Sequence, residues 1–280
     1  MPRILDTTPS FEAFARKAFL ESPYVREKLW EERYEGAHPE VFEAFYSEEP
    51  SVAGRSALVR DLTALRELAG PAAAVMATLV TEVEPRVARA LGMAEGPRPG
   101  HVLLVGPMSA SAVVGQMGEE ITLFHCVEWF KTEPGARILV AHEDTHAFHQ
   151  LRVSHPVPTD LAWTAFYEGV ALRASREVLP GRAEQDYYWY GYAGFDDWLP
   201  WCRDHAGDLL ARFGDAIDDP AGAETFFGAG LVDGQWRVGF YVADLLVGRI
   251  GRTLPELVAM TVDEGRAAVL DALGGASGET

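Results

Sequence analysis

The stretch His142-Glu143-Asp144-Thr145-His146 sets two imidazoles four residues apart with a carboxylate between them. On an α-helix each residue turns about 100°, so positions four apart fall roughly 40° from alignment and one turn apart. His142 and His146 can then reach one metal ion from the same helix face. Glu143 stands beside them, aimed at the water such an ion activates rather than at the ion. The HExxH spacing serves zinc hydrolysis for that reason: it supplies two ligands and a base. The preceding Ile138, Leu139, Val140 and Ala141 bury the helix. Ionisable groups carried inside with them are costly unless a metal or a partner takes them up. Asp144, a charged residue within the motif, is expected to point away from the ligand face.

A catalytic zinc needs a third protein ligand and an open fourth position. Glu168, in Phe166-Tyr167-Glu168-Gly169-Val170-Ala171-Leu172, is the first candidate. It falls in a second expected helix on the side of Leu161, Ala165 and Leu172 and should face inward. The structural alternative is a buried glutamate paired with an arginine such as Arg173 or Arg237. Two histidines compete for the same role. His149 lies two turns beyond His142, too far along a straight helix to join the ion. His155, in the loop Ser154-His155-Pro156-Val157-Pro158, could fold back on it. Cys126 invites comparison with cysteine-ligated HExxH enzymes, but reads as a buried strand residue.

HExxH followed by a helix carrying Glu-Gly-x-Ala resembles the gluzincin metallopeptidases, the clan of thermolysin. More narrowly, the strand run before the motif, Glu168-Gly169-Val170-Ala171 and the late stretch from Phe226 to Gly248 are similar to a bacterial family of uncharacterised zinc-dependent proteases. The resemblance covers about residues 100 to 265. It implies a zincin-like fold, one zinc ion and a peptide or protein substrate. Glu143 would be the general base, and Tyr241, in Gly239-Phe240-Tyr241, would stabilise the developing oxyanion. Tyr192, His205 and Arg237 are other residues whose chemistry suits that last task. The alternative function is a zinc-holding regulatory or peptide-binding module without turnover.

The elements that must position these residues follow from patterning. Residues 10 to 95 read as helices, beginning with Phe11–Glu21 capped by Ser10. A helical hairpin is expected to break at Gly70-Pro71. After the GPRPG punctuation at 96–100, three short apolar runs at 101–106, 111–118 and 120–130 read as strands of a small, mostly antiparallel or mixed sheet. A long helix from Thr132 or Pro134 then carries the HExxH motif, and a second, capped by Thr159 or Asp160, carries Glu168. Residues 187–201, rich in aromatics and glycines, read as an irregular wall beside the substrate. Two or three helices close the chain. The class is α+β and mostly helical, with residues 1–98 as a helical region and 99–275 as the zincin-like part, in one large domain or two lobes.

Composition narrows the partners. With 48% hydrophobic residues in 280, the chain can bury a sizeable core without crosslinks. A formal net charge of -18 repels phosphate backbones, so nucleic acid is an unsuited partner. The two cysteines, Cys126 and Cys202, make no disulfide framework. No apolar run approaches the ~20 residues that span a bilayer. The opening Met1 to Ser10 carries no apolar leader, and the reading is of a cytoplasmic protein.

Overall fold

The computed structural model describes residues 2–153 and 157–275. The protein is α+β and mostly helical, with a four-stranded mixed sheet and a separate two-stranded hairpin. Two compact units divide the chain, Met1–Pro85 with Pro97–Ala147, and Arg86–Gly96 with Phe148–Thr280.

In the first unit the sheet runs in the order β1-β2-β4-β3, formed by Arg3–Asp6, Gly100–Leu104, Glu120–Cys126 and Ala112–Met117 respectively. β1 and β4 flank β2 in parallel; only β3 pairs antiparallel, with β4. Of the two expected forms, mostly antiparallel or mixed, the sheet takes the mixed one. The reason is β1, four residues without a clear alternating pattern, which only its pairing to β2 reveals as a strand. Parallel neighbours bury β2 completely, which fits its unbroken apolar run.

The first helix is Thr8–Ala18, starting three residues before the Phe11 that a Ser10 cap implies. Ser10 instead meets His38 Nε2 through its hydroxyl at 2.7 Å. Phe11, Phe14, Trp30, Tyr34 and Phe42 then pack tilted or edge-to-face, with ring centroids 5.0 to 5.7 Å apart. The Tyr34 hydroxyl sits within 2.9 Å of the Thr7 hydroxyl and accepts the Val105 N–H at 2.7 Å. It thereby fastens the helical layer to the end of β2.

Helix Leu62–Ala90 runs through Gly70-Pro71 without the expected break. A proline inside a helix forfeits one hydrogen bond and crowds the preceding turn, a cost of about 3 kcal/mol. The stripe Leu65, Ala69, Ala72, Ala73, Met76, Leu79, Val80 and Val83 is buried along the whole length, and its burial outweighs that cost. A Cβ on Gly70 would lie 2.6 Å from Glu12 Oε1, the tip of a side chain that can swing aside.

The HExxH helix spans Glu133–Gln150, and Thr132 accepts the Gly135 N–H through its hydroxyl. In the second unit, helix Leu161–Val178 starts at Asp160, whose carboxylate accepts the Trp163 N–H and pairs with Arg266. Helix Val238–Ile250 packs along it, and helix Val262–Gly274 lies against both. The segment read as an irregular wall contains short helices at Asp186–Trp189 and Trp198–Asp204, and Tyr187, Tyr188, Trp189 and Tyr190 are buried. The hairpin Leu231–Val232 with Gln235–Trp236 turns at Asp233-Gly234, both at positive φ. That Asp-Gly pair is a turn signal present in the sequence. No described helix is long and apolar enough to cross a membrane.

Candidate metal centre

His142 and His146 are both buried on the same face of the Glu133–Gln150 helix. Their Nε2 atoms are 3.0 Å apart and their rings meet edge-on, with centroids at 4.7 Å. Two nitrogens held at zinc's usual bond length in tetrahedral geometry are about 3.3 Å apart. The pair is therefore spaced for a shared ion. Glu143, the next residue, is half-buried and keeps access to solvent.

Glu168 is also half-buried, less enclosed than its neighbours Leu161, Ala165 and Leu172. One ligand atom from each of His142, His146 and Glu168 lies within 4.8 Å of the others. Among the described residues this is the one such group of three. The last turn of the HExxH helix is tied to the Glu168 helix directly. His149 is fully buried among the rings of Trp163, Phe166 and Tyr167, and Gln150 Nε2 donates to the Tyr167 hydroxyl at 3.1 Å. His149 thus packs in an aromatic cage. His155, the other rival, lies outside the described residues.

No family model, no curated protein and no solved structure matches this chain.

Two imidazoles and a carboxylate are the donor set of a hydrolytic zinc site that leaves one position open. The spacing and the donor types fit that ion. The glycine after Glu168 has its own role. A Cβ on Gly169 would lie 2.5 Å from the Ala243 carbonyl oxygen and from Val247 Cγ2. Only glycine lets the two helices approach so closely beside Glu168.

The remaining candidates are placed as follows. Arg173 donates to the Arg252 carbonyl, and the Arg237 guanidinium lies 4.1 Å from the Phe240 ring centroid. Tyr241 is buried, its ring 6.5 Å from that of Tyr188, and burial pushes its hydroxyl up from the ordinary tyrosine range. His205 stacks on Trp201 and bonds its carbonyl through Nδ1. Tyr192 is half-buried. Cys126 ends β4, and burial, then the nearby Glu128, pushes its thiol well up, so it is a neutral core residue.

Sequence reading missed a second polar group. Asp144 does point away from His142 and His146, as expected, but into the interior rather than to solvent. It is wholly buried, with Oδ1 3.8 Å from His101 Nδ1. Burial, followed by Glu84 and Glu143, pushes its carboxyl well up. Burial also lowers His101 to about 4 and His125 well below the usual range, so both imidazoles are neutral at pH 7. The signal was available: His101 and His125 are the histidines of two strands that are buried along most of their length.

Proposed function

We propose that this protein is a zinc-dependent hydrolase acting on a peptide or related amide bond. The observation that carries the reading is the convergence of His142, His146 and Glu168 ligand atoms within 4.8 Å. A zinc ion held by those three donors would polarise the substrate carbonyl and acidify the water beside it. Glu143 projects from the same helix about 100° round from His142, next to the ligands and open to solvent. Its carboxylate takes a proton as the water oxygen bonds to the carbonyl carbon. It returns that proton to the amine nitrogen as the C–N bond breaks. The buried His142 and His146 hold their geometry without needing the substrate. The net charge of -18 weighs against a phosphate-bearing polymer as substrate. The gluzincin resemblance of HExxH and Glu-Gly-x-Ala supports the same class.

The test is metal content. Protein purified with zinc supplied should hold about one zinc per chain, by elemental analysis. A chain that takes up no transition metal under those conditions overturns the reading. A zinc-holding module without turnover differs in one respect: it would bind zinc yet cleave nothing across a broad peptide library.

A further inference from the structure

His101 on β2 and His125 on β4 stand on one face of the sheet. The parallel register pairs His101 with Leu123 and Leu103 with His125, and alternate residues of a strand share a face. Their rings are stacked 7° from parallel, with His101 Nδ1 3.3 Å from His125 Nε2. Asp144 meets His101 from the HExxH helix, its Oδ1 3.8 Å from the ring Nδ1. None of the three is more than 2% exposed. Among the described residues, His101 Nε2, His125 Nδ1 and both Asp144 oxygens have no hydrogen-bond partner. Glu84, the nearest other buried carboxylate, is engaged by Arg98.

A leucine in place of Asp144 would avoid burying a carboxyl group whose oxygens meet no donor among the described residues. Stability alone therefore does not explain the aspartate. Rotation does. Asp144 is two residues from each histidine, or about 200° of turn, so both lie some 160° from it on the opposite side of the helix. A leucine can seat against a sheet at several rotations. A carboxyl group finds its polar neighbour, His101, at one rotation only, which is how buried polar groups fix register elsewhere.

We propose that Asp144 is a positioning residue, keyed by His101, itself stacked on His125, that sets the rotation of the HExxH helix and so aims His142 and His146 together. The proposal rests on reading those two histidines as metal ligands. The experiment compares Asp144→Leu and Asp144→Asn with the wild type in zinc competition titrations. The metal-free proteins are compared by nitrogen-15 NMR of the histidine side chains, which reads the contact between the His142 and His146 Nε2 atoms. Asp144→Leu should lose 10- to 100-fold in zinc affinity, the usual range for groups that orient a ligand. It should also lose the paired Nε2 signals, and Asp144→Asn should restore both to within a few-fold. Wild-type affinity and unchanged paired signals in folded Asp144→Leu would overturn the proposal. If that variant does not fold, His101→Asn replaces it, with the same loss expected and the same wild-type values decisive against. A wild type that binds no zinc would sink the metal reading alone, because the metal-free signals still decide for or against Asp144.

Discussion

Gly169 and Ala243 approach so closely that a Cβ on Gly169 would lie 2.5 Å from the Ala243 carbonyl oxygen. The obstacle is backbone in a packed helix, not the tip of a side chain that can swing aside. Alanine at 169 would gain up to ~1 kcal/mol of helix propensity, but overpacking of this kind costs about 1–3 kcal/mol. Gly169→Ala should therefore lower the melting temperature. It should also weaken zinc binding, because the displaced turn carries Glu168. A melt and a zinc titration at wild-type values would show that the two helices separate freely.

The third ligand is expected to be Glu168 rather than His155 or His149. Glu168→Ala should reduce zinc affinity by two orders of magnitude or more, whereas His155→Ala should change it little. His149→Ala should act on stability, since it empties a place among Trp163, Phe166 and Tyr167. A competition titration that ranks His155 above Glu168 would give the third position to His155 instead.

Glu143→Gln should separate catalysis from binding. Glutamine keeps the shape of the side chain and removes the base, so the variant should fold and hold zinc as the wild type does. Turnover on any cleaved peptide should fall by at least ~10²-fold, the low end for a general base. Equal cleavage by variant and wild type at matched zinc loading would remove Glu143 from the mechanism.

Glu128 makes stability depend on pH. Its carboxylate accepts the Gly106 N–H at 2.9 Å and the Met108 N–H at 3.2 Å, yet burial pushes it up from 4.5 to about 7. For a carboxyl raised in the fold, the protonated form is the one favoured on folding. Its contribution is full below about 4.5 and is lost as pH rises through 7. The loss amounts to about 3 kcal/mol. Denaturant midpoints of the wild type and Glu128→Gln, compared at pH 4.5 and pH 8.5, should show the wild type losing that much relative to the variant. A pH-independent difference would mean that Glu128 is ionised throughout.

The HExxH helix and the Glu168 helix were legible because their signals are local. Four-residue spacing, an apolar run and the Asp160 cap depend only on the backbone geometry of one segment. The strands at 100–104, 112–117 and 120–126 were visible for the same reason, as short apolar runs between glycines. The sequence alone thus named His142, His146, Glu143 and Glu168 and the elements that bear them. It could not reveal β1, because four residues become a strand only when β2 offers a parallel edge. It misread Gly70-Pro71, because a local breaker lost to burial summed over eight turns of helix. Nor could it show that Asp144 faces His101, some forty residues earlier in the chain. That contact depends on sheet register and helix rotation, and both are set by packing between segments far apart in sequence.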